Sequence, residues 1–388
     1  MKFTQRVQHL KAEGSYATLA QAQALEAQGR NIVHMEIGEP DFFPGDNVTL
    51  AGIKAISAGH SRYTPPAGMA SLREAIAADC AQRHGISITP DQVVIGPGAK
   101  PTFLTAALAI LDAGDEVIYP NPGFPAYEAI AGIAGGVAVP VPLIEENSFS
   151  YDLDAFDKLI NERTKIIILN SPANPTGGVM SRKDIEHVAE AAQRYDCWVM
   201  SDEIYARLAY DNKPVFSIAS LPGMAERTII VDGFSKIYAM TGWRLGYGVM
   251  PLELANVIKL LVTHSIGCTA HFTQYAGLEA LRGPQQEAEA QVPVYQMRRD
   301  KIVERLNAIP GIHCQKPEGA FYAFPNIKAL GKTSREMASL LLSEGGVALL
   351  PGTAFGKYGE GYLRLSYATS MENIERGLER IEGVVRSL

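Results

Sequence analysis

Ser235 and Lys236 follow a β-branched run at 228–231 and an Asp232-Gly233 turn, and Arg244 lies eight residues beyond the lysine. A lysine at the end of a buried strand is poorly solvated, which lowers its pKa and leaves free amine to attack a carbonyl. Gly242 and Gly246 flank Arg244 and let the backbone approach a ligand closely. The group describes a Schiff-base lysine beside a phosphate clamp; a solvated loop lysine is the ordinary alternative. A second apolar run, 198–201, ends abruptly on Asp202-Glu203, with Tyr205 three residues on. A carboxylate there is costly unless a cation meets it, although Ser201 or Asp202 could instead cap a helix. The segment NSPANPTGG, 170–178, uses two prolines and two glycines to fix a loop presenting Asn174, which can both donate and accept. Gly98-Ala99-Lys100 precedes a helical pattern, so unpaired N–H groups and a positive dipole end could hold a phosphate, or simply turn strand into helix.

These residues need a scaffold that brings strand ends together. Strand-like runs fall at 31–37, 93–95, 117–119, 137–141, 165–170, 198–201, 228–231 and 246–250, with helical patterns at 15–29, 102–111 and 181–195 among them. Strands alternating with helices predict a mostly parallel sheet covered on both faces, where ligands bind at the carboxyl ends of the strands. The turn Gly38-Glu39-Pro40-Asp41 is placed where the chain passes between domains. Beyond about residue 280 a charged helix leads to Phe321-Tyr322-Ala323-Phe324, then a helix from Ser334, strands at 347–350 and 362–367, and a last helix from Asn373. The alternation of apolar and polar residues there predicts a smaller sheet solvated on one face. The expected division is a segment 1–45 associated with the small domain, a large domain 46–280 and a small C-terminal domain 281–388.

With 388 residues, 47% apolar and 20% charged, the chain suits a soluble two-domain protein. Its net charge of −7, without any Lys/Arg-rich run, argues against nucleic acid or an anionic membrane as partner. The four cysteines form no C-x-x-C pair, the N-terminal residues lack a continuous apolar stretch, and a cytoplasmic location is expected.

In their order and spacing, Asn174, Asp202, Tyr205, Ser235-Lys236 and Arg244 resemble the pyridoxal-phosphate-dependent aminotransferases of the aspartate aminotransferase type, class I/II, fold type I. The resemblance continues through IGEPDF near 37, RYTPPAG at 62, NPGFPAY at 121, NPTGG at 174, SDEIY at 201, GFSK at 233 and YLRLSYA at 362, nearly the whole chain. It implies that Lys236 forms the Schiff base with pyridoxal 5'-phosphate and shuttles a proton. It implies that Asp202 pairs with the pyridine nitrogen and that Tyr205 and Asn174 bond the ring oxygen. Phe124 matches the aromatic that stacks on the ring, where many relatives carry Trp or Tyr. Backbone groups at Ala99 and Lys100, the Ser235 hydroxyl and the Arg244 guanidinium are implied for the phosphate. Tyr63 matches a tyrosine reaching the neighbouring subunit's phosphate, so the implied unit is a homodimer. Arg364 matches the arginine gripping the substrate α-carboxylate, helped by the Gly38 backbone and Asn174; a surface strand arginine is its plain alternative.

Other signals carry less. Gly96-Pro97-Gly98 lacks the third glycine of a dinucleotide loop, Gly331-Lys332-Thr333 lacks the first glycine of a phosphate loop, and Gly233-Phe234-Ser235 lacks the second glycine of a nucleophile elbow. His264, Cys268 and His271 have helical spacing but no fourth ligand, and no metal site is expected. The expected reaction moves an amino group from an L-amino acid to a 2-oxo acid in a ping-pong cycle. A β-lyase on the same scaffold is the alternative, and a ligand-sensing module would need a DNA-binding region with more basic residues than the N-terminus offers.

Overall fold

The computed structural model describes residues 4–8, 10 and 14–388. Of the segment 1–45, residues 1–3, 9 and 11–13 lie outside the described residues. In chain order the strands are β1 (Val33–His34), β2 (Val93–Gly96), β3 (Glu116–Asn121), β4 (Val137–Ile144), β5 (Ser150–Tyr151), β6 (Thr164–Asn170) and β7 (Trp198–Asp202). They continue as β8 (Thr228–Gly233), β9 (Gly246–Val249), β10 (Tyr322–Ala323), β11 (Val347–Ala348), β12 (Leu350–Pro351) and β13 (Leu363–Ser366).

One eight-stranded sheet, in the order β2-β9-β8-β7-β6-β3-β4-β5, forms the frame. Its five central strands, β8, β7, β6, β3 and β4, run parallel, while β9 is antiparallel to both β2 and β8 and β5 is antiparallel to β4. The central strands are apolar without alternation because both faces are covered. Ile166 and Ile168 pack with Phe103, Tyr127, Leu254 and Ile258 on one side. Ile167 and Leu169 pack with Phe156, Ile185 and Val188 on the other.

The C-terminal part carries a three-stranded antiparallel sheet, β10-β13-β12, and β1 pairs in parallel with β11. Three expectations are corrected here. The run 31–37 gives a strand of two residues only, and 347–350 splits into β11 and β12, which belong to different sheets. The smaller sheet is also not solvated on one face: every residue of β10, β11 and β13 is buried. The polar residues of β13, Arg364 and Ser366, alternate with leucines because they turn to an interior polar surface.

Parallel strands place their C-terminal residues along one edge. Asn170 pairs with Asp202 across β6 and β7, Asp202 pairs with Val231 of β8, and Gly233 ends β8 three residues before Lys236. No helix follows β7, since residues 204–207 form a turn, so a capping role for Ser201 or Asp202 is excluded.

Candidate active site

Lys236 lies in the turn after β8, where its Nζ donates to the Gly38 carbonyl at 2.7 Å and stands 5.7 Å from the Tyr205 ring and 5.5 Å from the Phe321 ring. Burial lowers its pKa to about 8; Glu39 opposes the shift, and Arg364 and Arg244 add to it. Of the two cations Arg364, 128 positions further along than Lys236, acts more strongly than Arg244. The amine therefore loses its proton at far less cost than a solvated lysine.

Asp202 is 6% exposed at the end of β7. Its Oδ2 accepts from the Tyr127 hydroxyl at 2.5 Å and its Oδ1 from the Ile204 N–H at 3.2 Å. Burial raises its pKa to about 7, partly offset by those two hydrogen bonds, and the nearby Asp232 and Glu203 push in the same direction as burial. Among the described residues no cation is paired with it, so the carboxyl is built to receive one.

Asn174 is buried in the proline-fixed loop, its N–H held by Asn170 Oδ1 at 2.9 Å, while Asn170 Nδ2 donates to the Asp202 carbonyl at 3.2 Å. The Asn174 Oδ1 finds no hydrogen-bond partner among the described residues. Tyr205 shares a 2.7 Å hydrogen bond with the Tyr322 hydroxyl, and burial holds its pKa well above the ordinary value.

At the opposite side Ala99 immediately precedes helix Lys100–Ile110, with no side chain capping its N-terminal N–H groups. Arg244 reaches over this end, donating to the Thr241 and Pro97 carbonyls at 2.8 and 3.3 Å. Gly98 has a φ of +90°, which favours glycine, and a Cβ there would also push the Arg244 guanidinium aside. A Cβ at Gly246 would press within 2.6 Å of the Ala99 nitrogen. Lys100 Nζ lies 5.1 Å from the Phe124 ring centre, and the same ring meets Tyr127 edge-on at 5.6 Å. Ser235 is half-buried in the turn that carries Lys236.

Arg364 is buried on β13, which excludes its reading as a surface arginine. Its guanidinium lies between two rings, 4.6 Å from Tyr322 and 5.1 Å from Phe355, and donates through Nη2 to the Glu36 carbonyl. Its Nε is buried without a partner among the described residues. Burial lowers its pKa, against the pull of Tyr322, Tyr205 and Glu36. Gly38 belongs to the same corner: a side chain there would collide with the Tyr322 hydroxyl.

Lys236, Asp202, Tyr205, Asn174, Arg364 and Gly38 thus converge. Tyr63 does not join them; at 95% exposure it points away from its own chain. The sequence reading missed Tyr127, Tyr322, Phe355 and Glu36. Tyr127 closes the NPGFPAY motif and Tyr322 sits in an aromatic run, so both were in view, but only contacts across the fold give them a role.

The aminotransferase class I and II family model matches residues 30–381. The chain is 42% identical over 360 residues to an aspartate aminotransferase of Pyrococcus abyssi, covering 92% of each chain. It is 39% identical to aromatic-amino-acid aminotransferase 2 of Thermococcus litoralis, covering 93% of each. The structure of the Thermus thermophilus aspartate aminotransferase with maleate superimposes with a TM-score of 0.93 at 37% identity, covering 99% of this chain and 100% of that one. Likeness of this extent, on a site of this geometry, makes the chain a member of the class I and II aminotransferases and an enzyme that transfers amino groups.

Proposed function

We propose that the enzyme transfers the amino group of an L-amino acid to a 2-oxo acid with pyridoxal 5'-phosphate as its cofactor. The observation that carries the reading is a half-buried lysine with its pKa lowered to about 8, set among an uncompensated buried carboxyl, Asp202, and an arginine with an unpartnered Nε, Arg364. The residues present fit the cofactor. Asp202 offers a carboxylate for a protonated ring nitrogen, and the buried Asn174 amide, its Oδ1 unpartnered and its Nδ2 able to donate, and the Tyr205 hydroxyl can serve the ring oxygen. The bare helix end at Ala99 and Lys100, the Ser235 hydroxyl and Arg244 offer the donors a phosphate needs, and Phe124 supplies a ring face.

When bound, the cofactor supplies a ring that accepts the electron pair released at the substrate Cα. Lys236 Nζ, whose lowered pKa of about 8 leaves part of the amine unprotonated, takes the proton from that Cα and returns one in the second half of the cycle. Arg364 holds the α-carboxylate, and its stacking between Tyr322 and Phe355 fixes the plane of the fork. The Gly38 backbone and the Asn174 amide would complete that end of the substrate site, the Gly38 carbonyl itself accepting from Lys236.

The working unit is a homodimer in this reading. Tyr63, and Leu50, Ile53 and Ile56 on helix Asp46–Ser57, are exposed together, a face suited to a second copy of the chain, whose phosphate site Tyr63 would reach. Helices and the β10-β13-β12 sheet after about residue 280 support the division into 46–280 and 281–388, with 1–45 joined to the smaller part through β1 and β11. Among the described residues no helix is long and apolar enough to cross a membrane, and the four cysteines are free, which supports a cytoplasmic location.

The test is reconstitution with pyridoxal phosphate followed by single half-reactions with each amino acid, acidic and aromatic ones first. A change of cofactor absorbance, followed by amino acid formed from added 2-oxoglutarate, supports transamination. Ammonia and pyruvate released without new amino acid would instead identify the β-lyase.

A further inference from the structure

A buried guanidinium needs a counter-charge, and no carboxylate bonds Arg364 directly among the described residues. The acid whose charge acts on it is Glu36, wholly buried, the same residue whose backbone carbonyl accepts from Arg364 Nη2. The Glu36 Oε2 is buried without a partner, and its Oε1 takes His34 Nδ1 at 2.7 Å. His34 then turns its Nε2 to Glu26 Oε1 at 3.1 Å, at the end of helix Gly14–Glu26. An imidazole with a carboxylate at each nitrogen can satisfy both only as the imidazolium, with both nitrogens donating. The charges therefore alternate from the surface inward: Glu26 negative, His34 positive, Glu36 negative, Arg364 positive.

We propose that His34 and Glu36 are positioning residues that set how strongly Arg364 grips a substrate carboxylate, with the His34 cation keeping the Glu36 charge from competing for the arginine. The proposal rests on the reading of Arg364 as the carboxylate holder. The mechanism is electrostatic. With His34 protonated, the Glu36 carboxylate is shared and Arg364 keeps its free donors for the ligand. When His34 loses its proton, Glu36 carries an unbalanced charge that draws Arg364 towards itself and repels the incoming carboxylate.

The groups facing His34 are few. Glu36 follows it on the chain, Glu26 approaches from helix Gly14–Glu26, and its β11 neighbour is the uncharged Ala348. Arg380 of the C-terminal helix Met371–Arg386 lies close by but is bonded to the Asn31 and Gly346 carbonyls. Burial works against the proton on His34, yet the hydrogen bonds and charges of Glu36 and Glu26 outweigh it and hold the pKa above the ordinary 6.5. The grip on carboxylates is therefore strong while His34 is charged and weakens as pH rises through that raised value.

The experiment uses the cofactor-loaded enzyme and propanoate, a carboxylate with no amino group, with its Kd read from the cofactor absorbance between about pH 6 and about pH 9. His34→Gln should raise the propanoate Kd, and the KM for amino acids, by about five- to tenfold at the acidic end with kcat changed much less. Its curve should meet that of the parent enzyme at the alkaline end. Glu36→Gln should abolish the excess pH dependence of the parent, and His34→Gln added to Glu36→Gln should cause no further change, since His34 acts through Glu36. Glu26→Gln, a surface change that leaves the buried members in place, should move the Kd in the same direction by a smaller factor and serves if the buried variants do not fold. A propanoate curve for His34→Gln or Glu26→Gln that coincides with the parent at every pH, or effects of His34 and Glu36 that simply add, would overturn the proposal. Arg364→Ala separates the two levels: if it leaves propanoate binding unchanged, the reading of Arg364 fails, whatever His34 does.

Discussion

The site has two sides built in different ways. The lysine side is made of strand ends: Asp202 closes β7, Asn170 closes β6, and Lys236 follows β8, so the register of one sheet fixes their spacing. The arginine side is stitched from distant pieces. Arg364 reaches the Glu36 carbonyl 328 positions away, Tyr322 reaches Tyr205 across 117, and Lys236 meets Gly38 across 198. A sheet resists deformation because each strand is bonded on both sides, whereas hydrogen bonds between separate segments can be remade one at a time. In the proposed reading, chemistry that needs atoms fixed relative to one another falls on the first side, and recognition of an incoming ligand on the second.

The comparison is broken most severely at the lysine. Lys236→Ala should abolish turnover, because it removes the amine proposed to take the Cα proton, and the absorbance change that accompanies cofactor attachment should vanish with it. Full turnover in that variant would refute the assignment. Asp202→Asn keeps the shape and removes the charge; kcat should fall by on the order of a hundred- to a thousandfold, with KM changed far less.

Across the site the pattern should reverse. Arg364→Ala removes the buried fork proposed to hold the substrate carboxylate, so KM for amino acids should rise by roughly ten- to a hundredfold, with a smaller effect on kcat. A loss confined to kcat would contradict the division between the sides. Steady-state kinetics of the two variants side by side decides the matter.

The same division explains what could be read from the sequence. Lys236, Asp202 and Asn174 were legible because each closes an apolar run or sits in a loop fixed by prolines, signals contained within ten residues. The parallel sheet was legible for the same reason, as its buried strands are continuous runs of aliphatic residues. Arg364 was visible as a type but not as a buried one, since nothing in LRLS says that both faces of β13 are covered. Tyr322 and Glu36 matter only through what packs against them. Helix Asp46–Ser57 escaped notice because Leu50, Ile53 and Ile56 face outward, so its apolar residues do not mark one inward stripe.

The link between the sides is a pair of hydroxyls. Tyr322→Phe removes one partner of the 2.7 Å bond to Tyr205, and kcat/KM should drop by about fivefold, the worth of one such bond near 1 kcal/mol. Tyr205→Phe should cost more, and the double variant less than the product of the two, because each single change already breaks the shared bond. Effects that multiply exactly would mean the hydroxyls act separately.

The smallest effect concerns the cofactor-free enzyme and separates Asp202 from Lys236 by sign. The Asp202 carboxyl titrates at about 7 in the folded protein against 3.8 ordinarily, so between those values the folded chain holds a proton that the unfolded chain has lost. Stability from this group is complete below the lower value and is lost as pH rises through about 7. Lys236 is shifted the other way, to about 8 from 10.5, so the unfolded chain holds the extra proton and stability rises with pH across that window. Melting temperatures of the cofactor-free protein should therefore show Asp202→Asn flattening a fall below about pH 7 and Lys236→Ala flattening a rise above about pH 8. Burial of both groups is the common cause, because each is held nearer its neutral form until it meets the partner proposed for it: the ring for the carboxyl, the carbonyl carbon for the amine.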